Sequence, residues 1–509
     1  MGDSVAQKQR EVWLTNTQTG DRERFEPLVP GKVSLYSCGP TVYGFIHIGN
    51  LRTALFADLM TRIFARFGYE VTDVRNYTDV DDRIIDRAHK ESVSASEIAE
   101  RFIEEVDKDY WVAGLKNPVH RPRATETMRD IIRMVERLIE RGHAYVRDDG
   151  EVLFAVDSFD RYGALSKRKL EDQQAGARVE VDRKKRNPFD FALWKPAKPG
   201  EPAWESPWGP GRPGWHIECS AMIEKVLGHQ IDIHHGGVDL IFPHHENEIA
   251  QSECSSGTHP FVKYWVHNEH LNIRSQKMSK SLGNIVTARE FLTEYGSELT
   301  RIVLLSAHYR SKIDFSEELL EQSIQSLRRI YEAKLKAEEL QGKSYGMSDL
   351  RAETAWGEFV QEIEAARKEF DESLANDFNT PGALGAVFTL IRAFNRTLAE
   401  PKAESTPAAA QAAQLLIQFI EEDLGSILGV GRQGSKKALE ELENLQARRL
   451  QHQGVEQLSR EDIEARILER NQARAARDFK RADEIRDELL LKGVVLKDSP
   501  EGTTWTHKR

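Results

Sequence analysis

Lys32-Val33-Ser34-Leu35-Tyr36-Ser37-Cys38-Gly39-Pro40-Thr41-Val42-Tyr43-Gly44-Phe45-Ile46-His47-Ile48-Gly49-Asn50 is the stretch that decides the fold. Its first six residues alternate as a short strand does. Cys38-Gly39-Pro40-Thr41 breaks that pattern, and from Gly49 onward Leu51, Leu55, Leu59, Ile63 and Phe64 recur with helical spacing. His47 therefore falls at a strand-to-helix turn. Unsatisfied N–H groups and the positive end of the helix dipole attract phosphate at such a turn, and an imidazole there can donate to phosphate oxygens. Strand-like Val71–Asn76 follows the helix, which predicts a βαβ unit with parallel strands.

Past the middle of the chain stands Lys277-Met278-Ser279-Lys280-Ser281. On a polar loop, Lys277 and Lys280 can add positive charge as a pentavalent phosphorus forms. Each string alone has a plain reading: a capping or core histidine for one, a solvated loop for the other. In this order, with a nucleotide-fold pattern around them, they point to attack of a carboxylate on the α-phosphate of ATP. His47, Asn50, Lys277 and Lys280 are then the catalytic and ATP-binding residues.

Thr125–Arg141 reads as an amphipathic helix with Gly142 as its stop, and Asp148-Asp149-Gly150 as the turn of a hairpin. Ile231–His234 returns to strand character. After the lysine string a helical stretch covers Thr287–Tyr309, and a long helix follows with Asp314 or Ser316 as its cap. Glu400–Ala410 is a low-complexity break, helical pattern resumes at Asp462, and Gly493–Leu496 reads as a terminal strand. With 509 residues, 39% hydrophobic and 30% charged, the chain is long enough for several domains. No run of 18 or more apolar residues and no apolar leader stands out, and three scattered cysteines argue against a disulfide framework, so a cytoplasmic protein is expected. A net charge of −11 argues against general nucleic-acid binding, though not against a shape-specific RNA partner met through basic patches.

Four stretches, Ser37–Asn50, Asn76–Asp82, Pro213–Met222 and Phe242–Glu248, resemble the class I aminoacyl-tRNA synthetases, in particular the cysteinyl-tRNA synthetase family. The resemblance implies an α/β fold: a Rossmann-like parallel-sheet catalytic domain with an insertion, then a helical bundle and a small anticodon-binding module. The catalytic domain is expected in two parts, 1–125 and 215–255. An acceptor-end insertion occupies 126–214, a stem-contact region with the lysine loop 256–320, a helical bundle 321–425, and the anticodon-binding domain 426–509. The implied function is a cysteine–tRNA ligase that forms cysteinyl-adenylate and transfers it to the 3′-terminal adenosine of its tRNA. Partners are then cysteine tRNA, ATP and L-cysteine, with Mg²⁺ accompanying ATP and a monomer expected. A paralogous class joins cysteine to an amino sugar on a similar core, and residues 462–509 favour the tRNA ligase.

The resemblance also assigns residues. Cys38, Cys219, His244 and Glu248 become the ligands of one Zn²⁺, a donor set that suits a tetrahedral site. His244 and Glu248, four apart, can share a helical face. His245 is the competing ligand; taken alone, either cysteine reads as a buried free thiol, and Cys254 reads as structural. Thr78, Trp215 and His234 are carried into the amino-acid pocket, though each also reads as an ordinary strand or core residue. Arg474, Phe479, Asp483 and Asp498 are placed against anticodon bases. Arg470, Arg474, Arg477 and Arg481 recur with spacing that predicts one basic helical face, with Phe479 or Trp505 free to stack on bases.

Overall fold

Four strands lie parallel in the order Val262–Asn268, Ile231–Gly237, Lys32–Ser37, Glu70–Arg75. They belong to a computed structural model that describes residues 9–168, 185–273, 276–277, 286–342, 354–452, 460–476, 478–491, 494–499 and 502–507. The chain divides into two compact units, Met1–Arg432 and Gln433–Arg509. In the first, Lys32–Ser37 takes its sequence neighbour Glu70–Arg75 on one side and the distant Ile231–Gly237 on the other. The strand order thus reverses there, which opens a crevice at the carboxyl ends of the strands. The helix Ile48–Arg66 crosses between the first two strands, and Leu51, Leu55, Leu59, Ile63 and Phe64 are all buried.

The insertion is an antiparallel sheet of Ala144–Val146, Val152–Phe154, Phe191–Pro196 and Gly211–Pro213. The expected hairpin is present, with Ala144 opposite Phe154. The expected helix runs Met128–Glu140 behind a short 3₁₀ turn, and Gly142 follows at φ 79°. Among the described residues the insertion shares its core with the main sheet: Ile131, Leu138, Phe154 and Trp194 pack in one cluster with Tyr36, Val74 and Cys219.

Beyond the main sheet, Leu271–Ile273 pairs antiparallel with Gln276–Lys277 and parallel with Ile313–Phe315. Helix Ala288–Leu305 starts at a Thr287–Glu290 capping box and bends at Gly296, φ 71°. Ser316, not Asp314, caps helix Glu317–Gln341, accepting from the Leu319 N–H. Helices Thr354–Ala375, Thr380–Leu398 and Pro407–Gln418 follow. The low-complexity break is shorter than its composition suggests. Thr406 accepts from the Ala409 N–H, Pro407 takes a first-turn position, and Ala408, Ala409, Ala412 and Ala413 are buried. Alanine is the best helix former and lets helices approach closely, so a biased composition here encodes a packed helix. The unit closes at Gly431 and Arg432, whose N–H groups donate to buried Glu298 at 2.9 and 3.0 Å.

The second unit holds helices Ser435–His452, Arg460–Ala475 and Phe479–Leu491, then a hairpin of Val494–Ser499 and Gly502–His507. Its core is Ile463, Ile467, Ile485, Leu489, Val494 and Leu496, with Trp505 packed against it. The terminal strand is present, and the helix Ser435–His452 was not anticipated from the sequence.

At Gly39 the N–H donates to the Asn76 side-chain oxygen at 2.8 Å, and a Cβ would lie 1.6 Å from the Asn76 carbonyl oxygen. Gly39→Ala is expected to destabilise the first unit by about 3 kcal/mol, the upper end for overpacking a close contact. A urea titration followed by tryptophan fluorescence checks this; an unchanged midpoint would show that the two segments separate freely.

Candidate active site and metal centre

His47 sits at the start of the helix that the turn predicted. It is the N-cap of Ile48–Arg66. Its Nδ1 accepts from the Asn50 N–H at 3.2 Å, while the Asn50 side-chain oxygen accepts from the His47 N–H at 3.2 Å. The cap fixes the ring's orientation. Burial lowers the His47 pKa, against the opposing pull of Asp239. A neutral ring whose Nδ1 accepts carries its proton on Nε2, so the other edge of His47 is a donor.

The turn at His47 is joined through the backbone to the chain that follows the lysine string. The Ile48 N–H donates to Val286 O at 3.1 Å and the Ala288 N–H to Ile46 O at 2.8 Å. Residue 286 is where the described chain resumes after the lysine string. Lys277 ends the short strand Gln276–Lys277, and Lys280 lies outside the described residues.

Cys38 follows directly on the central strand, its N–H donating to His235 O at 3.1 Å. Its Sγ is 3.4 Å from His245 Nε2 and 3.9 Å from Glu248 Oε1. An irregular turn, Ile241–His245, precedes helix Glu246–Ser256, so His244 lies just outside the regular helix. It still reaches Glu248, with Nε2 to Oε1 at 3.0 Å. The other oxygen of Glu248 meets His234 Nε2 at 2.9 Å. Cys219, on helix Trp215–Leu227, is buried and feels the electrostatic pull of Cys38 and His244. Potential ligand atoms of Cys38, His244, His245 and Glu248 all lie within 4.8 Å of one another. One thiol, two imidazoles and a carboxylate thus converge in a buried space, where a dication is the natural counter-charge, and His245 rather than the expected Cys219 completes this group of four. The donor set is compatible with zinc.

The buried groups shift one another's protons, and a metal bound by them would displace the protons from its ligands. Cys219 is lowered to about 6, chiefly by its hydrogen bond with Cys38, while burial and the shared proton push Cys38 up. Burial disfavours charge on His244, yet the Glu248 carboxylate and the Cys219 hydrogen bond raise it to about 10. Burial likewise opposes ionisation of Glu248, but His234 and His244 hold it at about 2.

The three residues carried into the amino-acid pocket have distinct surroundings. Trp215 stacks on His244, ring centroids 4.3 Å apart. His234 lies between Trp265, stacked at 4.6 Å, and Glu248. Thr78 is buried, its backbone bridged to Thr41 and its hydroxyl accepting from the Asn76 amide at 3.4 Å. Cys254 is apart from the cluster, its thiol pushed up to about 12 by burial and then by Glu253.

Several neighbours were not anticipated. His216 Nδ1 lies 2.9 Å from His244 Nδ1, and His245 Nδ1 2.7 Å from His267 Nε2, which extends to Thr17. His235 spans Ser37 and Asn268. Burial holds His216, His235, His245 and His267 below the usual histidine range. Glu218 is fully buried, and neither carboxyl oxygen has a hydrogen-bond partner among the described residues. Their spacing along the chain does not bring them together, so only the spatial convergence marks them.

In the second unit the expected single basic face is not formed. Helix Arg460–Ala475 carries Arg470 and Arg474, but Arg481 is on the next helix and Arg477 lies outside the described residues. Acidic partners also absorb much of the charge. Arg470 donates to both Asp498 oxygens at 2.8 Å, Arg474 approaches Asp498 at 3.2 Å, and Arg481 pairs with Glu469, Glu484 and Glu488. Phe479 is 62% exposed at the head of its helix, Asp483 is exposed one turn on, and Trp505 packs on the core.

Residues 24–325 match the family described as tRNA synthetases class I (C) catalytic domain, and residues 369–431 match the DALR domain. A Geobacter metallireducens protein named cysteine–tRNA ligase is 50% identical over 495 residues, covering 97% of this chain and 99% of that protein. One of the same name from Alkalilimnicola ehrlichii is 47% identical over 494 residues, again with 97% and 99% covered. The structure of Mycobacterium tuberculosis methionyl-tRNA synthetase with methionyl-adenylate matches with a TM-score of 0.60 at 13% identity, covering 80% of this chain and 93% of that one. At that identity the likeness is one of fold.

The two rival ligands can be separated by metal content. Cys219→Ser is expected to cut bound zinc from about one per chain to well below that, whereas His245→Gln retains it, because only a ligand binds directly. Elemental analysis of the purified variants decides it; the opposite pattern would exchange the two residues' roles.

Proposed function

The chain belongs to the cysteine–tRNA ligase family of class I tRNA synthetases, and on that premise we propose how its residues join cysteine to its tRNA. In the first step the cysteine carboxylate attacks the α-phosphate of ATP, giving cysteinyl-adenylate and pyrophosphate. In the second, a ribose hydroxyl of the tRNA's terminal adenosine attacks the acyl carbon and AMP leaves. The observation that carries this reading is the buried Cys/His/Glu cluster at the carboxyl end of the strand that leads into His47.

His47, neutral and fixed by its cap, donates from Nε2 to phosphate oxygens. Asn50 holds that ring from the same first turn, at the positive end of the helix. Lys277 and Lys280 neutralise charge that develops on the phosphates in the transition state. Mg²⁺ is expected to accompany ATP, with no residue of this chain assigned to it. Cys38, Cys219, His244 and Glu248 are the residues suited to hold zinc. A zinc ion held by them supplies a soft Lewis acid for the substrate's sulfur. Such a site separates cysteine from serine, which an apolar pocket could not do well. Trp215, covering His244, bounds the pocket and excludes longer side chains, while His234 orients Glu248. Thr78 faces the amino acid from the segment stitched to Thr41. The second unit reads the anticodon, with Phe479 exposed for stacking and Arg474, Asp483 and Asp498 beside it. No helix among the described residues is long and apolar enough to cross a membrane; a cytoplasmic setting is part of the proposal because charging of tRNA serves translation.

ATP–pyrophosphate exchange tested with each amino acid is expected to respond to cysteine far more than to serine. Charging of total tRNA should then be confined to cysteine tRNA. Equal exchange with serine would remove the selectivity assigned to the cluster.

Ending the chain after Arg432 is a cleaner cut than one at Glu400–Ala410, which would strip a packed helix from the first unit. The shortened protein is expected to keep cysteine-dependent exchange within about threefold and to lose charging efficiency by about 10²-fold, the scale of a few lost phosphate and base contacts. Steady-state charging of cysteine tRNA checks it, and undiminished charging would deny the second unit its role.

A further inference from the structure

Arg52 follows Asn50 by two residues on the helix Ile48–Arg66 and is 3% exposed. Its guanidinium is surrounded by backbone carbonyls. Nη1 donates to Glu269 O at 2.6 Å and His270 O at 2.9 Å. Nη2 donates to Ser311 O at 2.7 Å and reaches His308 O and Tyr309 O at 3.3 Å. These carbonyls belong to two segments. Glu269 and His270 lead into Leu271–Ile273, whose hairpin partner is Gln276–Lys277. His308–Ser311 lead into Ile313–Phe315, which pairs with the same strand. One side chain thus grips the roots of two of the three strands of the small sheet, Leu271–Ile273 and Ile313–Phe315, whose third strand carries Lys277. On the far side of the lysine string, the chain is tied back to the same helix start by the bonds from Ile48 and Ala288 to Val286 and Ile46.

A buried guanidinium held by neutral carbonyls is a costly way to hold two loops together, and an apolar side chain would pack them with less desolvation. What the planar fork adds is direction: it fixes where carbonyls lie to within a hydrogen bond's tolerance. We propose that Arg52 is a positioning residue for adenylate formation, holding the Lys277-bearing sheet at a set distance from His47 and Asn50. This rests on the assignment of those residues to the nucleotide phosphates. Arg52 touches neither ATP nor cysteine; it acts through the strands it grips.

The test uses full-length, zinc-loaded protein. The unaltered chain is first assayed for single-turnover formation of cysteinyl-adenylate; failure there would overturn the proposed function itself. Arg52→Lys keeps the charge and loses the fork. It is expected to slow adenylate formation by about 10²-fold, the cost of roughly 1 Å of misplacement. Cysteine affinity, read by titration calorimetry, should stay within about twofold, and zinc content should be unchanged. In Arg52→Gly the lost rate should return in part with added guanidinium and not with methylammonium. A lysine variant with the original rate would overturn the proposal. So would cysteine affinity or zinc falling in step with the rate, or a glycine variant that folds but gains nothing from guanidinium.

Discussion

The pairing of Lys32–Ser37 with Ile231–Gly237 is the contact on which the rest of the structure depends. It sets Leu35 opposite Ile233 and Tyr36 opposite His234, and it brings Cys38 under the carbonyl of His235. Without it the strand ends that carry Cys38 and His234 would not share a crevice. Helix Glu246–Ser256, which contributes Glu248, would have no wall to face. Because both strands are buried, their register is held by a large hydrophobic cluster that also takes in the inserted sheet. A one-residue slip would turn His234 away from Glu248.

The central strand, the first helix and the turn between them were legible because local alternation and helical spacing agree with tertiary burial there. So were the inserted hairpin and the helix Met128–Glu140. The Pro407–Gln418 helix was obscured because an alanine-rich run beside prolines looks like a linker until its buried face is seen. The arginine face failed for a different reason: helical spacing was extended across residue 478, where the chain changes helix. At the site, His47, Cys38, His244 and Glu248 stood out through the resemblance of their segments. His216, His235 and His267 did not, since nothing in their spacing along the chain shows which side chains they meet. Arg52 was equally silent, because its partners are backbone carbonyls and no side-chain pattern records them.

Two kinds of electrostatics serve the two units. In the first, charge is concentrated and buried: Glu248 faces two imidazoles, and Cys219 shares a proton with Cys38. Such a pocket suits a cation and would be costly unfilled by one or by protons. In the second unit charge is spread on exposed helices and largely paired, as with Arg481 and its three glutamates. That leaves little unpaired charge in the described part of this unit for bulk attraction of a polyanion.

The separation of the two central strands along the chain also bears on how the protein is made. Ser37 and His235, bonded across those strands, are 198 residues apart. At ribosomal rates, roughly 10–40 s pass between the emergence of one strand and its partner. During that interval Lys32–Ser37 can pair only with Glu70–Arg75, leaving its other edge open and its apolar face uncovered. An open edge of this kind invites pairing with another chain. The nascent protein therefore has a window in which a chaperone or slow translation of the insertion matters, and that window closes when Ile231–Gly237 appears.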